Sequence, residues 1–258
     1  MNFIVFDLEF NQDFDSLSEN APNLTRYPSE IIQIGAVKLN QKFKTLASFD
    51  RLIKPSLYLK VNPEITSLTG ITTHQLQKEE TYPTVFQSFL EFIKDSDSIL
   101  CIWGMSDIKV LYQNAALYQL DTSLLPKRYI NLQPLASLYL NLPNKRILRL
   151  QATIEALEIP IKAMFHNALH DAIYTGLILK KIYHPSIEPQ IYLPNQVAEK
   201  PRQQRRILNL TKLIHQFEKM YQKTLSEEEQ EMIKLAYHMG KTGQFQEVLT
   251  KEEKKHSL

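Results

Sequence analysis

The segment Phe3-Ile4-Val5-Phe6-Asp7-Leu8-Glu9-Phe10 is apolar on both faces of an extended chain. Ile4, Phe6, Leu8 and Phe10 alternate with Phe3 and Val5, so a strand here needs a packing layer on each side. That requirement points to a sheet buried between helices. The following sequence supplies both kinds of element. Apolar runs over 31–39 and 46–54, the second ended by Pro55, read as a hairpin. Helical spacing covers 66–76 and 83–94, and Ile99 to Trp103 forms a short buried strand closed by Gly104. Ser106 is placed to cap a helix to about Leu117. A strand near 129–132, helices near 133–140 and 150–158, and a helix capped by Asn167 and running to about His184 complete the set. Strands first and alternating elements later predict an α/β fold with a mixed five-stranded sheet flanked by helices. Pro185, Pro189, Pro194 and Pro201 then mark an extended linker. The expected organisation is a catalytic-sized domain over 1–185, a linker over 186–202 and a small helical extension over 203–258.

Composition excludes several classes. No apolar run reaches the roughly 18–20 residues of a membrane span. Cys101 is the single cysteine, which rules out an internal disulfide and a thiolate zinc cage. The chain opens Met1-Asn2 and enters the first strand without a basic or small-residue leader pattern, so a cytoplasmic setting is expected. Formal net charge is +2, and residues 1–185 balance, so the excess lies in the tail. There Lys200, Arg202, Arg205, Arg206, Lys212, Lys219 and Lys223 face only Glu199 and Glu218 within 199–223. A basic stretch of this kind can contact nucleic acid.

Asp7 and Glu9 lie two residues apart on the first strand and therefore share a face. They stand where the buried strand reaches its C-terminal end, the edge at which open α/β sheets collect ligands. Two carboxylates so placed repel each other. Either solvent or a hard divalent cation, Mg²⁺ or Mn²⁺, relieves that repulsion. Asp107 opens the helix after the Gly104 turn, and Asp171 falls near the start of the last core helix. Each position also suits an acid that complements a helix dipole. His166 precedes that last helix in a loop and, taken alone, reads more readily as a surface residue than as a catalyst.

Taken together these residues form a recognisable set: Asp-x-Glu on the first strand, Asp after a Gly-terminated strand, and His-x₄-Asp at a late helix. The chain resembles the DEDDh family of 3′–5′ exonucleases over about residues 1–185. Glu30-Ile31-Ile32-Gln33-Ile34-Gly35-Ala36-Val37, Leu68-Thr69-Gly70-Ile71-Thr72 and His166-Asn167-Ala168-Leu169-His170-Asp171-Ala172 carry the resemblance further. Trp103-Gly104-x-x-Asp107-x-x-Val110-Leu111 places it nearest the branch of ERI-1-type and KapD-like enzymes. The sister pattern with tyrosine four residues before the last acid is excluded, because Asn167 stands there.

The resemblance implies a ribonuclease-H-like fold and a two-metal 3′–5′ exonuclease acting on RNA or DNA with a free 3′ end, RNA slightly favoured. Asp7, Glu9, Asp107 and Asp171 would hold two divalent cations, with Asp7 bridging, and His166 would act as general base. Phe10, Asn11, Leu68, Thr69, Gly70 and Ile71 are the implied substrate contacts, with Phe10 a stacking or wedging residue. Lys145, Arg146 and Arg149 are candidates to hold the phosphate backbone. Two positions depart from the family pattern: Asn11 stands where threonine is common, and Asn131 where aspartate is. The tail has two readings. One is an apolar stripe that docks on the domain or on a second copy, giving a homo-oligomer. The other is a nucleic-acid arm built on Arg202, Arg205 and Arg206. A catalytically silent scaffold that binds nucleic acid or protein is the alternative to the enzyme.

Overall fold

A computed structural model describes residues 1–12, 29–94, 97–143, 146–194 and 210–242, the side chains at 210, 238 and 240–242 excepted. The chain divides into two compact units, Met1–Val197 and Ala198–Leu258.

The first unit is a six-stranded mixed sheet in the order β3-β2-β1-β4-β5-β6. Strand β1 spans Asn2–Asn11, β2 Glu30–Asn40, β3 Thr45–Leu52, β4 Ser98–Ile102, β5 Arg128–Asn131 and β6 Gln190–Ile191. The first three strands form an antiparallel meander, while β1, β4 and β5 run parallel and β6 returns antiparallel. The two-residue β6, at the outer edge, is absent from the five-strand expectation. It is too short to leave a periodic apolar signal, and it lies in the Pro-marked segment.

Helices cover both faces, as the two-sided apolarity of β1 demands. Ile4, Phe6 and Leu8 pack with Tyr82, Val85, Phe86 and Phe89 of α3 (Tyr82–Ile93) and with Ile108 and Leu111 of α4 (Ser106–Leu117). Phe3 and Val5 pack on the opposite face. Their partners lie in α5 (Leu132–Tyr139), in α6 (Leu150–Ala156), and in Tyr174, Ile178 and Leu179 of α7 (Ala168–Ile182). Burying a large aliphatic or aromatic side chain contributes about 1.5–3 kcal/mol, so these layers carry the stability of the unit.

The single helical piece expected over 66–76 is two: α1 (Pro63–Thr69) and α2 (Thr73–Leu76). Gly70 ends α1 in the left-handed region at φ 74°, and Thr72 with Gln75 forms a capping box that restarts the chain. Ser106 does not cap α4. It is the first helical residue, and the preceding Met105 offers no side-chain bond. Asn167 does cap α7, accepting from the His170 N–H.

In the second unit α8 (Leu210–Tyr221) and α9 (Glu227–Thr242) form a helical pair. Ser226 and Glu229 make the reciprocal capping box expected from their spacing. Leu213, Phe217, Leu225, Met232 and Ile233 line an apolar groove between the two helices. Arg202, Arg205 and Arg206 lie outside the described residues.

Candidate active site

Parallel pairing between β1 and β4 runs only from Asn2↔Ser98 to Val5↔Cys101. Beyond Val5, β1 pairs only with β2 among the described residues, so Asp7 and Glu9 lie past the parallel pairing at the C-terminal edge. A bulge in the β1–β2 register between Glu9 and Phe10 adds twist at the same place.

Asp107 reaches this edge from α4. Its approach is set by a turn in which Gly104 takes φ 86°, a conformation glycine adopts without Cβ strain. Asn131 fixes that turn, its Oδ1 accepting from the Gly104 N–H at 3.0 Å and the Gln133 N–H at 3.2 Å. The departure at position 131 therefore serves the loop that delivers Asp107, a role invisible in the sequence.

Asp171 comes from the first turns of α7 and His166 from the residues before it. His166 has φ 63°, unusual for a non-glycine residue, and its N–H donates to Asp171 Oδ2 at 3.1 Å. Glu9, His166 and Asp171 each present a ligand atom, and these atoms lie within 4.8 Å of one another. Asp7 and Asp107 join them electrostatically. Burial, and then the charges of Asp107, Asp171 and Glu9, hold the Asp7 carboxyl well above the usual carboxylate range. Burial and the charges of Asp171 and Asp107 push Glu9 up to about 8. Asp107 is pushed up to about 7 by burial, helped by Asp171 and opposed by a backbone N–H. Asp171 is raised by burial against the backbone N–H and charge of His166. All five residues of the expected set thus meet in one place.

This site fits divalent cations on the chemistry of its donors. Four clustered carboxylates with raised proton affinity are oxygen ligands short of positive charge. Asp171 Oδ1 is buried and has no hydrogen-bond partner among the described residues, which leaves a lone-pair acceptor on a residue of the cluster.

The shifts carry a stability prediction. The carboxyls of Glu9 and Asp107 have folded-state pKa values above their ordinary 4.5 and 3.8, so in the folded chain they hold protons that the unfolded chain has released. Their contribution is present at low pH and is lost as pH rises through about 7 to 8. Melting in chelator should therefore show this contribution lowering Tm from about pH 4 to 8 and levelling above that. Asp107→Asn should recover about 1 kcal/mol at pH 8, roughly 2–4 °C for a chain of this size. A flat pH profile in chelator would contradict the clustering.

The expected substrate contacts divide. Asn11 is fully buried, and its amide is consumed by the backbone: Oδ1 accepts from the Asn62 N–H at 3.0 Å and Nδ2 donates to Lys60 O at 2.9 Å. It therefore braces the 58–62 segment, and its amide is engaged by backbone groups. Burial of a polar residue next to an exposed-looking acidic pair leaves no periodic signal. Glu30 supports the same segment, accepting from the Ser56, Leu57 and Tyr58 N–H groups. Phe10 is half-buried against the α3/α4 cluster. Leu68 is exposed, whereas the Ile71 side chain packs with Ile32, Val61 and Leu76. Thr69, Gly70 and Ile71 border a polar cavity of about 650 Å³ that also reaches Gln33 and Asn167. Arg146 and Arg149 are exposed, and Lys145 lies outside the described residues.

A mixed sheet between helices, with clustered carboxylates at the open edge of its central strands, defines a ribonuclease-H-like α/β domain with an acidic, cation-ready site. The chain belongs to the RNase T exonuclease family, whose model, described as Exonuclease, matches residues 4–179. It is 24% identical over 189 residues to the 3′-5′ exoribonuclease 1 of Mus musculus, covering 69% of this chain and 54% of that protein. It is 21% identical over 190 residues to the 3′-5′ exonuclease crn-4 of Caenorhabditis elegans, covering 69% and 63%. The chain thus spans about half to three-fifths of the length of these curated relatives. The solved nuclease domain of 3′hExo, a DEDDh family member bound to rAMP, superposes with a TM-score of 0.62 at 21% identity, covering 74% of this chain and 96% of that one. No helix among the described residues is long and apolar enough to cross a membrane.

Proposed function

We propose that this chain is a divalent-cation-dependent 3′–5′ exonuclease that releases nucleoside 5′-monophosphates from a free 3′ end, preferring RNA to DNA. The convergence of Asp7, Glu9, Asp107 and Asp171 beside His166 carries this reading. Family membership supports the reaction class. The RNA lean is supported by the exoribonuclease name of the mouse relative and by the rAMP in the 3′hExo structure.

In this reading the four carboxylates hold two cations, Mg²⁺ or Mn²⁺, and His166 is the general base. The cations supply positive charge that acidifies the attacking water and stabilises the departing 3′ oxygen. His166 is exposed at the rim, where its imidazole accepts the water proton and passes it to solvent. Its backbone N–H, donated to Asp171 Oδ2, ties base and carboxylate into one rigid corner. The cavity beside Thr69, Gly70 and Asn167 receives the terminal nucleotide. Carboxylates without cations would repel a phosphodiester, so substrate binding and chemistry share one requirement.

The test is an assay on 5′-end-labelled single-stranded RNA, single-stranded DNA and overhanging duplexes, with Mg²⁺, with Mn²⁺ and with chelator. Stepwise shortening from the 3′ end and 5′-monophosphate product are expected, fastest on RNA and absent in chelator. Binding without shortening would favour a silent scaffold. His166→Ala should lower kcat by about 10²–10⁴-fold, the usual contribution of a positioned base. Its residual rate should climb steadily with pH as hydroxide replaces the imidazole, and a variant with wild-type kcat would remove His166 from the reaction.

A further inference from the structure

We propose that Gln33 is a positioning residue: a β2 side chain that sets the first turn of α7, and with it Asp171 and His166, against the acids of β1. The consequence for turnover rests on the exonuclease reading above, while the consequence for α7 does not.

In the β1–β2 register Glu9 faces Gln33 and Asp7 faces Gly35. Directly opposed antiparallel residues project to the same side, so the two acids and these two residues share one face. Gly35 leaves that face bare where α7 begins: a Cβ there would overlap the backbone of Ala168 and Leu169. Contact brings α7 close, but it does not fix its rotation or its slide along the strand. Gln33 does. It is 2% exposed, and its Oε1 accepts from the Ala168 N–H at 3.2 Å. Ala168 is the first residue of α7, and its amide has no acceptor within the helix. The cap is therefore shared: Asn167 serves the His170 N–H from within the chain, and Gln33 serves the Ala168 N–H from the sheet.

The orientation of the Gln33 amide is fixed from its other side. Its Nε2 donates to Asp50 Oδ1 at 2.8 Å, and Asp50 lies on β3 opposite Gly35. An ionised carboxylate only accepts, so Asp50 selects the amide orientation that turns Oε1 toward α7. The reversed amide would set a donor against the Ala168 N–H and leave both buried groups unsatisfied. The relay Asp50–Gln33–Ala168 thus ties the edge strand to the helix that carries Asp171 one turn further on. None of these three residues belongs to the acidic cluster.

The experiment compares Gln33→Leu, Gln33→Glu and Asp50→Asn with the double variant Gln33→Glu/Asp50→Asn. Gln33→Glu keeps an acceptor for Ala168 but sets a carboxylate against Asp50 and, across the strand pair, against Glu9. Adding Asp50→Asn restores a donor with the polarity reversed and the net charge unchanged. Two readouts are used: hydrogen exchange of the 166–172 amides in the metal-free chain, and kcat and KM for mononucleotide release from single-stranded RNA in saturating Mn²⁺. Both single changes at Gln33 should speed exchange at the α7 first turn and lower kcat by roughly 10–100-fold, the scale of an ångström-sized misplacement. Gln33 and Asp50 also line the cavity assigned to the terminal nucleotide, so KM reports that contact separately, while the double variant should recover exchange and kcat. Faster exchange with unchanged kcat would reduce Gln33 to a structural cap and overturn the proposal, as would a double variant that fails to recover. If Gln33→Leu does not fold, Gln33→Glu and its rescue carry the same comparison. A wild-type chain that releases no nucleotide defeats the exonuclease reading instead, and the exchange data still decide whether Gln33 anchors α7.

Discussion

Asp171→Asn is expected to lower the rate of mononucleotide release by at least about 10³-fold while the chain stays folded. Asparagine has the same size and keeps an oxygen to accept from the His166 N–H, the bond the carboxylate makes at 3.1 Å. What disappears is one negative charge from the cluster, and with it the buried oxygen Oδ1, which has no hydrogen-bond partner among the described residues. Charge stabilisation by bound cations is worth several kcal/mol to a phosphoryl displacement. At 1.36 kcal/mol per decade, losing about 4 kcal/mol is a thousandfold. Stability should move the other way. Burial raises Asp171, and its charge raises Asp7, Glu9 and Asp107. Removing it relieves repulsion, so Tm in chelator at pH 8 should hold or rise. Steady-state rates with melting curves check both halves. Activity within tenfold of wild type would take Asp171 out of the site.

Gly35→Ala should be the most damaging single methyl in the first unit. The new Cβ would overlap backbone atoms of Ala168 and Leu169, which cannot swing aside as the end of a side chain can. Either α7 lifts from the sheet or β2 bends, and overpacking of this kind costs about 1–3 kcal/mol or more. For a chain of this size each kcal/mol lowers Tm by roughly 2–4 °C, so a fall of several degrees is expected. The helix that must move carries Asp171, and the residues before it carry His166. A shift of about an ångström is worth on the order of 10²-fold in rate. Rate and Tm should therefore fall together, unlike Asp171→Asn, where they separate. An active Gly35→Ala enzyme with native Tm would mean that α7 does not sit on β2 as described.

Most of the fold could be read from apolar periodicity. Phe3 to Phe10 demanded two covering layers, and α3/α4 and α5 to α7 provide them. The five site residues could be read only as a set. Asp107 and Asp171 each sit in a first helical turn, where a dipole role explains an acid as well as a ligand role does. Convergence is a property of the β1–β4 parallel pairing and the seating of α7, neither of which leaves a mark at either residue. The same limit explains Asn11. Its burial depends on the backbone of Lys60 and Asn62, about 50 positions away in sequence, so its bracing role leaves no local mark beside the acids. Gln33 and Gly35 were visible as part of an apolar block, but their work is done by one hydrogen bond and one missing methyl group. Both are pairwise facts of packing. The split of 66–76 at Gly70 was legible in principle, since Gly70 followed by Thr72 and Gln75 is a stop and a restart.

Crystals grown with Mn²⁺ and a nucleoside 5′-monophosphate, measured at the manganese absorption edge, test the convergence most directly. Two anomalous peaks enclosed by the carboxylates of Asp7, Glu9, Asp107 and Asp171, with His166 at the rim, are the predicted result. Peaks elsewhere, or no ordered manganese among these four side chains, would contradict it.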